Sequence, residues 1–306
     1  MNIFTHNFNP NSESGPNKFS RQLLNSLVSD YGFSLTSQKD ADVEFCLIQQ
    51  TSHKIKPMIL RLDGIYFNKR QDFNQQNIPI NFSYKNSDIV VFQSEFNRRL
   101  TEKWFGPHPN YRIIHNAYLD NPVKDKIFKK ENDKEIWSCA SSWRPHKRLI
   151  ENVRYFFEKA PNNAILYIAG EGITDKDIIE IHRLINFYGN EKIVKVCGNL
   201  DYTTLRMLYA ASSTFLHLAY LDHCPNVVVD AVAHGCHVVC SSTGGTKEIV
   251  KNGTIVEEEE WDFSPIDLYN PPKMDFLKIK KINHFLDNDL NSHNCVKSYV
   301  DAFRSL

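Results

Sequence analysis

Short apolar runs alternate with longer amphipathic segments along almost the whole chain, and nothing else in the sequence restricts the fold as much. Residues 2–7, 43–48, 58–62, 89–92 and 112–114 read as strands. Residues 18–29 put Phe19, Leu23, Leu24 and Leu27 on one face at i, i+4, i+5 and i+8, as an amphipathic helix requires. Another helix-like segment follows Ser94. Strands separated by helices of this length pair in parallel, with both faces of the sheet covered.

Residues 120–134 are rich in Lys, Asp and Asn and poor in apolar side chains, which predicts a linker. A second series then begins, with strands at 135–140, 164–169, 193–197, 214–218 and 237–241. Helices are predicted at 149–158, 175–188, 201–211 and 227–234, and residues 244–250 turn into a short helix. A chain of 306 residues is too long for one core and suits two domains of roughly 150 residues. The expected fold is α/β, two Rossmann-like domains facing a central cleft, residues 1–120 and 135–290. Residues 291–306 carry Val296, Tyr299, Val300 and Phe303 at i, i+3, i+4 and i+7, predicting a helix that packs back on the first domain.

Composition removes several functions. Hydrophobic residues at 42% exclude a disordered chain. Lys plus Arg and Asp plus Glu are both 36, so no global basic excess asks for nucleic acid. The seven cysteines are scattered without a CxxC pair, which argues against a zinc site or disulfide framework and for buried thiols in a reducing compartment. Residues 1–7 lack the pattern of a signal peptide, and no apolar stretch approaches the roughly 18 residues of a membrane span. The expected location is cytoplasmic, with peripheral membrane contact left open. The acidic run at 257–260 reads as a solvated surface turn.

In a parallel sheet of this kind, ligands bind beyond the carboxyl ends of the strands. Residues 141–148 follow a strand and gather Arg144, Lys147 and Arg148 at a helix start, where cations are unfavourable unless an anion joins them. A diphosphate would be such an anion. Asp222 and Asp230 stand eight positions apart around a second helix start. The amides near Asn226 and Val227 could hold phosphate oxygens there, and Asp230 could accept two hydrogen bonds from a vicinal diol. A capping charge explains an acid at that place equally well. Gly244-Gly245 lets backbone approach a ligand, or simply makes a tight turn. There is no P-loop, no GxGxxG after the first strand and no HExxH. His6, His53, His108, His115, His217 and His234 read as structural.

The run FLHLAYLDHCPNVVVDAVAHGCHVVCSSTGGTKEIVKNG, residues 215–253, resembles the retaining glycosyltransferases of family four, which have the two-domain GT-B fold. The family pattern is an acid, seven residues, a second acid, Ala-x-Ala-x-Gly-x-x-Val-Val, then Gly-Gly-x-x-Glu. Asp222, Asp230, Ala231, Ala233, Gly235, Val238, Val239, Gly244, Gly245 and Glu248 occupy the matching places. Both acids are usually Glu, so each carboxylate here is one methylene shorter. Gly15-Pro16 with Lys18-Phe19 is similar to the family's first glycine loop, and Lys147 to its diphosphate-gripping lysine. Ser142 stands where an arginine is usual, which leaves Arg144 or Arg148 to replace it.

The resemblance implies a hexosyltransferase that needs neither cofactor nor metal and uses a UDP- or GDP-linked nucleotide sugar. The donor would lie against Gly15, Arg144, Lys147, Asn226, Val227, Asp230, Gly244, Gly245 and Glu248. Asp222 would contact hydroxyls of the transferred sugar as the catalytic residue. Asp63 and Asn68 are the acceptor-side candidates, for a glycan, lipid-linked or protein hydroxyl. Two alternatives remain, a non-catalytic sugar-nucleotide-binding or scaffold relative and an epimerase of the same fold. Nucleotide release that depends on an acceptor separates the transferase from both.

Overall fold

The computed structural model describes residues 1–120, 134–189, 191–250, 252–283 and 292–306. Most of the expected linker, and the expected boundary at 290–291, lie outside the described residues. Two compact units are present, one of Met1–Asp120, Asp262–Ile266 and Asp287–Leu306, the other of Asn121–Trp261 and Asp267–Leu286.

In the first unit the chain runs β1 (Asn2–His6), α1 (Gly15–Tyr31), β2 (Ser34–Leu35), β3 (Val43–Leu47), β4 (Met58–Leu62), α2 (Phe73–Asn86), β5 (Ile89–Phe92), α3 (Glu95–Phe105) and β6 (Tyr111–Ile113). The strands form one parallel sheet in the order β2-β1-β3-β4-β5-β6. Every residue of β3, β4 and β5 is buried, so these strands are mainly apolar rather than alternating, with the buried charges Glu44 in β3 and Arg61 in β4 as the exceptions. The Ser94 hydroxyl accepts the Asn97 amide and starts α3. No sequence pattern announced α2. Its residues FNQQNIPINFSYKN are mostly polar, contain Pro79, and bury only Asn77, Ile80, Ser83 and Tyr84.

In the second unit the elements are β7 (Glu135–Ala140), α4 (Leu149–Lys159), β8 (Ala164–Ala169), α5 (Asp175–Tyr188), β9 (Ile193–Gly198), α6 (Tyr202–Ala211), β10 (Thr214–His217), α7 (Asn226–Ala233), β11 (His237–Ser241), β12 (Asn252–Val256) and β13 (Ile279–Asn283). The sheet order is β13-β12-β11-β10-β7-β8-β9, with only β13 antiparallel. Chain direction through the sheet reverses between β7 and β10, where a doubly wound sheet opens a crevice at the strand ends. Sequence reading did not find β12 and β13. The latter, IKKIN, is an edge strand whose lysines discourage further pairing.

After the second unit the chain forms α8 (Ser292–Arg304), which belongs to the core of the first. The Phe303 ring lies 5.7 Å from Phe33 and 5.8 Å from Phe45, and Tyr299 lies 6.2 Å from Phe45. No helix among the described residues is long and apolar enough to cross a membrane.

Candidate functional site

The loops after β7 and β10 meet at the crevice of the second unit. Beyond β7 the chain bends at Trp143, whose indole N–H donates to the Ala169 carbonyl at 2.9 Å. It then forms a short 3-10 helix, Pro145–Lys147. Beyond β10, the Tyr220 amide donates to the His146 carbonyl at 2.7 Å and ties the two loops together. This brings Lys147 Nζ to 2.5 Å from Asp222 Oδ2, while His217 Nε2 lies 2.9 Å from the same oxygen. Burial opposes charge on Asp222, but the Lys147 ammonium and the His217 hydrogen bond outweigh it and hold the carboxyl well below the usual carboxylate range. Burial lowers the neighbouring imidazoles: His217 downward, His146 to about 3 and His223 to about 4.

The double glycine serves this loop directly. Gly244 has φ +78, and a Cβ there would lie 2.4 Å from the Asp222 carbonyl oxygen. The Gly245 amide donates to that same carbonyl at 2.7 Å. The close approach that the glycines permit is therefore to the backbone carrying Asp222. Glu248 follows in a short 3-10 helix, Thr246–Ile249.

Of the three cations expected to face an anion, the structure removes one. Arg148 pairs with Glu258 at 2.6 Å, donates to the Pro272 carbonyl at 2.7 Å and covers the Tyr220 ring at 4.9 Å. Its side chain is 1% exposed, so it cannot stand in for the missing arginine at 142. The same pair corrects the reading of residues 257–260 as a wholly solvated turn. A buried guanidinium needs a carboxylate, and Glu258 supplies it. Arg144 remains exposed.

Helix α7 opens with Asn226 and Val227, and the Val228 and Val229 amides bond back to the Pro225 carbonyl at 3.0 and 3.2 Å. Asp230 lies one turn in, half-buried and close enough to Tyr209 to raise that phenol's already burial-raised pKa. Beside Val227 lies a cavity of about 170 Å³, lined also by Ala140, Ser141, Ser142, Gly170 and Asn199 at the ends of β7, β8 and β9. Gly170 lets its walls close: its φ is +115 and a Cβ would fall 1.8 Å from the Ser141 carbonyl oxygen.

The acceptor-side candidates lie in the first unit. Asp63 Oδ1 accepts from Arg61 and Gln93, and Arg61, fully buried, also donates to Asn116 at 2.9 Å. Asp63 Oδ2 is buried without a hydrogen-bond partner among the described residues. Asn68 is 2% exposed: it bridges in parallel to Ile266, and its Oδ1 accepts the Arg70 amide at 3.2 Å. Gly15 is the exposed first residue of α1. His217, read from sequence as structural, is the side chain that sequence reasoning missed. The available signal was its place at a strand end five residues before an acid.

Residues 121–262 match the family model described as Glycosyl transferases group 1. Over its whole length the chain is similar in structure to HepE of Anabaena in complex with UDP and glucose, at 13% identity and a TM-score of 0.69, covering 100% of both chains. It is similar also to AviGT4, a glycosyltransferase involved in avilamycin A biosynthesis, at 16% identity and a TM-score of 0.65, covering 100% of this chain and 98% of that one. A third similar structure is WaaG, a glycosyltransferase involved in lipopolysaccharide biosynthesis, at 12% identity and a TM-score of 0.61, covering 100% and 94%. No curated protein matches significantly.

Proposed function

Since residues 121–262 match the group 1 glycosyl transferase model, we propose that the chain moves a hexosyl group from a nucleotide sugar to a hydroxyl acceptor with retention of configuration. One observation carries this reading: Lys147 and Asp222 converge where chain direction reverses in the sheet, beside the first turn of α7. The base occupies the cavity of about 170 Å³ and the ribose diol bonds to Asp230. Lys147, Arg144 and the amides of Asn226 and Val227 compensate the diphosphate, so that fixed cations and a helix terminus do the work of a metal. Gly244, Gly245 and the turn bearing Glu248 support the Asp222 loop, and Asp222 meets the sugar hydroxyls.

In the transfer, the bond from the anomeric carbon to the diphosphate oxygen breaks with its electron pair. The acceptor oxygen bonds to that carbon on the same face, and its proton passes to the departing diphosphate. The products are a glycoside and a nucleoside diphosphate. On the first unit, Asp63 Oδ2 is suited to accept a hydrogen bond from an incoming hydroxyl. The UDP and UDP-glucose held by HepE favour a uridine donor over a guanosine one. Seven free thiols favour a reducing, cytoplasmic setting.

The test compares two alanine variants by calorimetry and turnover. Asp230→Ala should weaken free nucleoside diphosphate and nucleotide sugar alike, by about ten- to a hundredfold, as loss of a charged hydrogen bond of roughly 1.5–3 kcal/mol requires. Asp222→Ala should not weaken free nucleotide, and by releasing Lys147 from its ion pair should tighten it if it changes it at all, while reducing turnover. Donor binding without acceptor-dependent nucleotide release would instead identify a binding relative.

A further inference from the structure

Asp222 does more here than present a carboxylate on a loop. Its two oxygens are held by three donors, Lys147 Nζ at 2.5 Å and His217 Nε2 at 2.9 Å on Oδ2, and the His223 amide at 3.0 Å on Oδ1. The donors differ in what a bound diphosphate would do to them. Lys147 sits on a flexible four-carbon stem, and a doubly charged diphosphate is a stronger attractor than one carboxylate. His217 has no such freedom. It is the last residue of β10, paired to Cys240 of β11, 4% exposed, with its ring stacked over Phe215 at 12°. With its imidazole neutral, its Nε2 carries the proton that Asp222 accepts.

We propose that His217 is a positioning residue, whose Nε2–H keeps the Asp222 carboxylate oriented and ionised toward the sugar once the diphosphate has drawn Lys147 away. The inference rests on the donor-site reading above. An aspartate, shorter than glutamate, reaches the sugar through fewer orientations, so a donor built on a rigid strand fixes the one that works. The charge argument points the same way. A carboxylate left beside a diphosphate without its lysine is pushed toward protonation, and a buried N–H donor resists that. The titratable and charged groups facing Asp222 are Lys147 and His146 from the loop after β7, His217 from β10 and His223 from its own loop. Burial lowers all three histidines, so it is the carboxyl titration of Asp222 in the complex that assigns an acid limb of turnover to this residue.

The experiment measures kcat against pH for the full-length protein and for His217→Leu and His217→Gln, on a UDP- and GDP-sugar panel, with free UDP and GDP affinities alongside. In His217→Leu the acid limb should move to higher pH by about one to two pH units, because the hydrogen bond that favoured the charged carboxylate is gone. Free nucleotide should bind within about twofold of the parent. His217→Gln, which restores an amide donor, should return the limb most of the way and keeps the question answerable if the leucine variant does not fold. The ¹³C carboxyl titration of Asp222 with free nucleoside diphosphate bound should show the same displacement without any turnover. An unmoved titration in folded His217→Leu, or equal losses in turnover and free nucleotide affinity, would overturn the proposal and leave His217 a packing residue. Absence of turnover in the parent on every donor would instead defeat the transferase reading, and the carboxyl titration would still decide the role of His217.

Discussion

Lys147 and Asp222 are so close that changing either one alters the electrostatic surroundings of the other. Lys147→Ala removes the cation offered to the diphosphate and also leaves a largely buried carboxylate with a single neutral side-chain donor. It should therefore lose nucleoside diphosphate affinity by about tenfold or more and lower stability by about 1–3 kcal/mol. Adding Asp222→Ala should recover much of the stability and none of the affinity, which urea melts and calorimetry on the single and double variants would measure. A purely structural ion pair would show the same recovery of stability but leave nucleotide binding untouched throughout. Sequence alone made Lys147 and Asp222 legible, because each lies in a loop after a strand and fits the family pattern. His217 was hidden because a single histidine in an apolar run looks like core. The Arg148 and Glu258 pair was hidden for a different reason: the partners are 110 positions apart, and no local pattern announces the pairing.

At the scale of elements, turns and packed faces decide what a substitution does. Gly244→Ala meets both a left-handed φ and the Asp222 backbone at 2.4 Å, so the loop after β10 must shift to accept it. The expected cost is about 1–3 kcal/mol in a thermal or urea melt, with turnover falling more than free nucleotide affinity. Phe303→Ala on α8 removes a ring that packs against Phe33 and Phe45, and should cost about 3–5 kcal/mol in the transition that reports the first unit. The central strands and α4 to α7 could be read to within a residue or two, since fully buried strands are continuous apolar runs and the helices carry one apolar face. By contrast α2 hides its weak periodicity behind polar residues and Pro79, and β13 pairs through its backbone while its side chains, Lys280 and Lys281 among them, signal solvent.

For the molecule as a whole, saturating UDP or GDP at about 100 times its Kd should raise stability by about 2.7 kcal/mol if it binds only the folded protein. Hydrogen exchange on the full chain should then slow in residues 141–148, 217–227 and 241–248 and remain unchanged in α8. Protection spread evenly through both units would contradict a nucleotide site built by the second one. The division into two sheets was legible because the strand–helix alternation occurs twice. The return of residues 262–266 to the first unit was not, since so short a segment has no periodicity of its own. The position of α8 has a consequence for biosynthesis. A ribosome that has finished β6 must still make residues 114–291 before the helix that completes that core emerges, roughly 10–35 s at ordinary elongation rates. Through that interval the nascent first unit lacks the Tyr299 and Phe303 rings that lie against Phe45. The C-terminal unit can thus mature before its N-terminal neighbour, and a chain stalled in between would present an unfinished apolar face to chaperones.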